Sequence, residues 1–268
     1  MVVRGKRAKG RQRNDLFIGI GLFILVFLGI GALVYYEVTK EPAINAATLC
    51  PAKGPTGHFV LLVDTTDPLN FTQKQSFAVF LDELVKKRVP EGHLLSVFVL
   101  GEDFKTNAEP LVELCNPGSG ENKSAMTSNV ERVRKTYEEK FIKPLMRQGE
   151  ALQGTQPAKA SPILEMLQLV AINGFRKHDV KGERRLFLMS DMLHNGSAFS
   201  MYRATPNFED FSGTDYGRKT QADLKDVKVE LHYLLNAPQL QTRRSLLFWE
   251  NYFIKSGARL VDVRPLEG

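Results

Sequence analysis

From Leu16 to Tyr36 the chain reads LFIGIGLFILVFLGIGALVYY, twenty-one residues without a charge. As a helix rising ~1.5 Å per residue, this run is roughly 30 Å long, the hydrocarbon thickness of a bilayer. No polar face interrupts it, as one would in a helix packed against a soluble core. Arg4, Lys6, Arg7, Lys9, Arg11 and Arg13 precede it with no acid among them, while Glu37, Lys40 and Glu41 follow. By the positive-inside rule the N-terminus stays in the cytoplasm and everything after Tyr36 is exported, with Tyr35 and Tyr36 at the interface. The run is too long for the apolar segment of a cleaved signal peptide, and Ala43 to Ala47 offers no small-x-small cleavage site. Leu49 before Cys50 disfavours a lipoprotein. Gly19, Gly21, Gly29 and Gly31 are not spaced as GxxxG, so no specific dimerisation signal is present.

The expected organisation is a basic cytoplasmic tail (1–14), a transmembrane signal anchor (15–36), a linker (37–56) and one exported domain (57–268). The expected location is a bacterial inner membrane, with the domain on the periplasmic face. The formal charge of +6 resides in the tail, since the rest of the chain carries thirty basic against thirty acidic residues. A nucleic-acid partner is therefore not expected. Hydrophobic residues at 43% and charged residues at 25% suit a chain with a substantial core and exclude global disorder.

In the exported part, strands alternate with helices. His58 to Asp64 is a continuous apolar run ending in an acid, as a strand buried on both faces requires. Thr72-x-x-Gln75 has the form of a capping box, followed by Phe77, Phe80, Leu81, Leu84 and Val85 at helical spacing. Leu94–Leu100 and Leu111–Cys115 read as strands. Val130, Val133, Tyr137, Phe141 and Leu145 mark a long charged helix. Ser161-Pro162 opens another, with Ser161 as N-cap. Arg185–Asp191 is a strand that again ends in an acid, and Val227–Leu235 is the next. Thr242–Ser256 is a helix stopped by Gly257, and Ala258–Val263 a closing strand. This alternation predicts an α/β fold, a doubly wound and mainly parallel sheet of Rossmann-like type.

Cys50 and Cys115 are the two cysteines. Export would permit a disulfide between them; two separate buried thiols are the other reading. In doubly wound sheets ligands bind at the carboxyl ends of the strands, where strand order reverses. Here two strands end in acids, in Asp64-Thr-Thr66-Asp67-Pro68 and in Ser190-Asp191. At these residues the sequence resembles the von Willebrand factor A-like (vWA) family, over about residues 57–266. Trp249-x-x-Tyr252-Phe253-x-x-x-Gly257 in the closing helix agrees with it.

The resemblance implies a metal-ion-dependent adhesion motif holding Mg²⁺ or Mn²⁺, with one position left for a partner's carboxylate. Asp64 matches its first acid, Thr66 its first hydroxyl, Ser161 its loop hydroxyl and Asp191 its last acid. Such oxygens suit hard cations. Pro68 occupies the place of the second serine and has no hydroxyl, so the motif is incomplete. Structural readings stand beside these: Ser161 as a helix cap, Thr66 and Asp67 as turn residues, Asp191 as a cap for the segment after its strand.

The stretch from Met192 to about Asp223 has neither helical nor strand periodicity and carries Phe199, Tyr202, Phe208, Phe211 and Tyr216. Long irregular loops are often functional, and aromatic rings often anchor interfaces, so these five are candidate partner contacts. The other reading is a small core of their own over the sheet edge. Phosphate-loop, dinucleotide, serine-hydrolase and HExxH patterns are absent, so no small-molecule substrate is expected. The sequence reading is a membrane-anchored protein-interaction module without catalysis. Its alternative is a membrane-anchored, metal-dependent hydrolase using Asp64, Asp191 and His194.

Overall fold

The structure is a computed structural model that describes residues 6–39, 44–121, 129–154, 157–203 and 206–267, with side chains in the first helix from 19 to 35. The described chain divides into two units, the first helix in one and every other element in the other. That helix, α1, spans Lys6–Thr39. Its described side chains are exposed, among them Phe23, Leu25, Phe27, Leu28 and Leu33. Among the described residues no helix is long and apolar enough to cross a membrane. The ends of the expected span, 16–18 and 36, lie outside the described side chains.

In the second unit, strands β1 (His58–Asp64), β2 (Leu94–Leu100), β3 (Val112–Cys115), β4 (Arg184–Ser190), β5 (Lys228–Leu235) and β6 (Arg259–Glu267) form one sheet. Their order is β3-β2-β1-β4-β5-β6. Only the β2–β3 pair is antiparallel. The sheet is doubly wound and mainly parallel, as the alternation of elements predicts. Every residue of β1 is buried, and its side chains alternate between two core layers. Val60 and Leu62 face a layer completed by Trp249, Tyr252 and Phe253. Phe59, Leu61 and Val63 face one completed by Phe77, Phe80 and Phe141.

The helices are α2 (Phe71–Glu83), α3 (Val130–Thr136), α4 (Lys143–Ala151), α5 (Ile163–Leu169), α6 (Phe208–Gly213), α7 (Asp215–Lys219) and α8 (Arg243–Lys255). Wider π turns extend α2 and α5 and join α3 to α4.

Several local expectations shift. The capping box of α2 is Asn70 with Gln73, not Thr72 with Gln75: Asn70 Oδ1 accepts from Gln73 N at 2.9 Å, and Gln73 Oε1 from Asn70 N at 3.2 Å. Ser161 does not cap α5, whose N-cap is Pro162 with no side-chain bond. The stretch 192–223 is not wholly irregular. It contains α6 and α7, capped by Asn207 and Thr214 and too short to show periodicity in sequence. Gly257 stops α8 as expected, at φ +76°, where a side chain would be strained. The last strand runs on to Glu267.

Cys50 and Cys115 form a disulfide, with Cα atoms 4.7 Å apart and a sequence separation of 65. It ties the residues before β1 to the edge strand β3, beside a bond from Cys115 N to Thr48 O at 2.8 Å. Leu49 is buried there, so the later part of the expected linker packs into the domain core.

Candidate functional site

The sheet's strand order reverses between β1 and β4, its two central strands. The parallel register pairs Val63 with Met189, which sets Asp64 level with Ser190 and places Asp191 one step beyond. The two strand-end acids are thus neighbours at the carboxyl edge, where this class of sheet forms its crevice.

Asp64 is almost fully hydrogen-bonded. Its Oδ1 accepts from Thr66 N at 3.0 Å and Thr66 Oγ1 at 2.6 Å, and its Oδ2 from Ser190 Oγ at 2.7 Å. Asp191 is less complete. Its Oδ1 accepts from Leu193 N at 2.9 Å, whereas Oδ2 is buried with no hydrogen-bond partner. Burial raises the Asp64 carboxyl, against the pull of the Thr66 and Ser190 bonds. Burial first, and then the Asp64 charge, pushes Asp191 up to about 8. Asp67 raises it further, through its negative charge and a side-chain hydrogen bond. No Lys or Arg is paired with Asp64, Asp67 or Asp191 among the described residues.

Ser161 joins this edge through its backbone. Ser161 N and Asn195 O, and Asn195 N and Ser161 O, are each 2.8 Å apart, and Ala158 N donates to Thr66 O at 2.8 Å. The segment before α5 is therefore stitched to the turns after both β1 and β4. Ser161 Oγ is buried without a partner, like Asp191 Oδ2. The turn after β4 is strained: Met192 sits at φ +58°. Trp249 Nε1 donates to Met192 O at 2.8 Å, and Gln241 Nε2 to Asp191 O at 3.0 Å. The closing helix and the loop before it thus brace this turn.

All four motif residues expected from sequence come to one edge. Ser190 and Gln241 were missed. Ser190 could be found only from the β1–β4 register, which a single sequence does not display. Gln241 carries no signal at all.

The aromatic rings do not act as one group. Phe208 and Phe211 are buried, and Phe199 and Tyr216 pack partly buried against the same core. Phe199, Phe208 and Phe211 all meet Phe248, with centroids 6.0, 5.5 and 5.1 Å away. They join the main core on that face of the sheet rather than forming a small core of their own. Tyr202 alone is substantially exposed, at 47%. Its hydroxyl is pushed up to about 12 by burial and then by the charges of Asp191, Asp67 and Asp64.

His194 is fully buried. Its Nδ1 faces Leu164 N at 3.4 Å and its Nε2 the Tyr216 hydroxyl at 3.1 Å. Burial lowers its pKa to about 4.

No family model matches the chain, and no curated protein matches it. Solved structures do overlap it, among them these three. An aerotolerance-related membrane protein from Bacteroides fragilis shares 9% identity, covering 78% of this chain and 90% of that one, with a TM-score of 0.37. The SpRpn10 VWA domain shares 9% identity over 79% of this chain and 89% of its own, with a TM-score of 0.38. Manganese-loaded Plasmodium vivax TRAP protein shares 14% identity over 65% and 57%, with a TM-score of 0.28. The doubly wound fold rests on this chain's own strand order and crossovers.

Proposed function

We propose that the chain is a single-pass, membrane-anchored protein-interaction module that docks its partner at the carboxyl edge of the sheet, around Asp64, Thr66, Ser161 and Asp191, without catalysis. One observation carries the reading: Ser161 Oγ and Asp191 Oδ2 are buried, unpartnered and held on neighbouring turns. Most buried polar atoms in finished folds are paired. Two orphans beside an acid pair at the strand-order reversal are groups that a bound partner completes. The charge-free run 16–36 and its basic flank support an anchor in a bacterial inner membrane, with the N-terminus in the cytoplasm and the domain in the periplasm. The Cys50–Cys115 disulfide is in keeping with an exported domain.

The oxygen set also fits Mg²⁺ or Mn²⁺. Thr66 gives its hydroxyl proton to Asp64 and so keeps lone pairs free, and Ser161 Oγ and Asp191 Oδ2 are uncommitted. When bound, the ion would offer an open position to a partner's carboxylate. Asp64 would orient Thr66, and Asp191 would contribute negative charge.

The test is thermal unfolding of the detergent-solubilised full chain in Mg²⁺, Mn²⁺ or EDTA, beside Asp64→Ala and Asp191→Ala. A ligand at a hundred times its dissociation constant adds ~2.7 kcal/mol, so a shift of several degrees is expected and both variants should abolish it. No shift in any condition would remove the ion from the proposal and leave a metal-free docking edge. Metal-dependent hydrolytic turnover that disappears in Asp191→Ala would replace the module with the hydrolase. Carbonate extraction tests the anchor: the full chain should stay with the membrane, and a chain lacking residues 1–40 should not.

A further inference from the structure

Five of the six strands run in one direction, so their first residues share the edge opposite the acids. That amino edge is basic. Lys53 precedes β1, Lys225 precedes β5, and Arg259 opens β6. Lys87 lies in the π turn that extends α2, and Lys255 is the last residue of α8. All five are exposed, and none has an ion-pair partner among the described residues. Acids of the same edge are engaged elsewhere: Asp179 with Lys181 at 2.7 Å, Glu183 with Lys228 at 2.8 Å and Asp226 with Arg184 at 3.7 Å. Glu91 and Asp223 offset the five cations only in part. The carboxyl edge has the opposite sign, because Glu102 and Asp103 after β2 join Asp64, Asp67 and Asp191. Charge is therefore separated along the strand direction.

Cations at helix C-termini complement the helix dipole, and that accounts for Lys87 and Lys255. It does not account for Lys53, Lys225 or Arg259, which lie outside helices. The chain also enters the domain at this edge. Cys115 pairs with Leu94, the first residue of β2, and is joined to Thr48 by a hydrogen bond and to Cys50 by the disulfide. Ile44 bridges to Pro51 beside them and stands eight residues after Tyr36. At ~3.5 Å per residue, a leash of that length reaches no further than about 28 Å.

We propose that the amino edge is a lipid-binding surface, which lies on anionic phospholipid headgroups of the bilayer holding the anchor and turns the carboxyl edge toward its partner. This rests on the anchored, edge-docking reading above. A Lys or Arg within a Debye length of an anionic surface, ~8 Å at physiological salt, is held there roughly fivefold more strongly. The five cations act together. An inverted domain would bring the acids to that surface instead, so the field selects one orientation.

The experiment places the full chain in nanodiscs of phosphatidylcholine alone or of phosphatidylcholine mixed with phosphatidylglycerol. A neutral acylating reagent is added, and mass spectrometry reads the rate at each lysine. Acylation needs the free amine, which an ammonium held on an anionic surface releases about fivefold less often. Lys53, Lys225 and Lys255 are therefore expected to react about fivefold more slowly in the anionic discs. Lys105 and Lys159, at the carboxyl edge, should react equally in both. Salt at ~1 M shortens the Debye length to ~3 Å and should restore the rates. The variant K53E/K225E/R259E should restore the rate at Lys255 in anionic discs, and its melting temperature in neutral discs shows that the fold is kept.

Equal rates in the two kinds of disc overturn the proposal and leave the anchor standing. Slowing that persists in the triple variant overturns it as well. A chain that elutes apart from both discs removes the anchor reading, and this proposal falls with it. Slowing by added DNA in neutral discs, with none from anionic lipid, would assign the edge to a soluble polyanion and overturn the lipid.

Discussion

Glu230 on β5 and Asp191 at the end of β4 are acids of one sheet, 4% and 3% exposed, and the fold treats them in opposite ways. Glu230 receives Arg88 in a two-pronged pair, Nη1 to Oε1 at 2.7 Å and Nη2 to Oε2 at 2.5 Å. His232 Nε2 is 3.1 Å from Oε1, and Arg264 stands 3.6 Å away. Burial pushes the Glu230 carboxyl up, and Arg88 with these neighbours more than reverses it, holding it well below the usual carboxylate range. Asp191 faces acids instead and keeps an oxygen without a donor. Equal burial therefore does not mean equal purpose. The fold pairs the Glu230 charge internally, and it gives Asp191 Oδ2 no donor.

The largest effect should come from breaking the completed cluster. Removing one member of a buried ion pair costs about 3–5 kcal/mol, because the other charge is left without a counter-ion. Arg88→Ala should lose that much in urea unfolding. Its guanidinium also lies 4.7 Å from the centre of the Phe187 ring, so packing is lost as well. A loss below about 1 kcal/mol would mean that His232 and Arg264 suffice, and the contrast with Asp191 would weaken.

The second effect separates the two acids by the sign of their pH dependence. Asp191 titrates from an ordinary 3.8 up to about 8 in the folded protein. Between those values the folded state holds a proton that the unfolded chain has released, so stability falls as pH rises through the window. Glu230, lowered from 4.5, gives stability that is present above its unfolded value and is lost only as pH falls through its folded one. Asp191→Asn should therefore flatten the decline in EDTA between about pH 5 and pH 8 while leaving the acid limb in place. Superimposable pH curves for variant and wild type would show that Asp191 is not the group responsible.

How much of this was legible in sequence follows the range of the forces involved. The strands and the doubly wound class were legible because apolar runs such as His58–Asp64 and helical spacings such as Phe77–Phe80–Leu81–Leu84 are local. Asp64 and Asp191 were legible because both terminate such runs. The Arg88–Glu230 pair was not, since its members lie 142 residues apart and meet only once α2 and its π turn pack on β5. Ser190 depends in the same way on strand register. The aromatic stretch misled for another reason. Helices of six and five residues carry no period, so buried Phe208 and Phe211 looked no different in sequence from exposed Tyr202.

The smallest expected effect belongs to that tyrosine, and it sharpens the comparison most. Tyr202 is half-exposed and feels the charges of Asp191, Asp67 and Asp64, whereas the rings of Phe208 and Phe211 belong to the core. Truncating a half-exposed side chain outside the core usually changes stability by under about 0.5 kcal/mol. Tyr202→Ala should do no more than that at pH 5, where Asp191 is protonated in wild type as well. Water admitted to the edge should relieve the burial that raises the Asp191 carboxyl. The decline in stability toward pH 8 should then be shallower than in wild type, though not as flat as in Asp191→Asn. If Tyr202→Ala instead destabilises the protein as a core substitution does, the ring belongs to the fold and the exposed rim shrinks to the acids. If stability is kept and the pH dependence does not change, the enclosure of Asp191 comes from residues other than Tyr202.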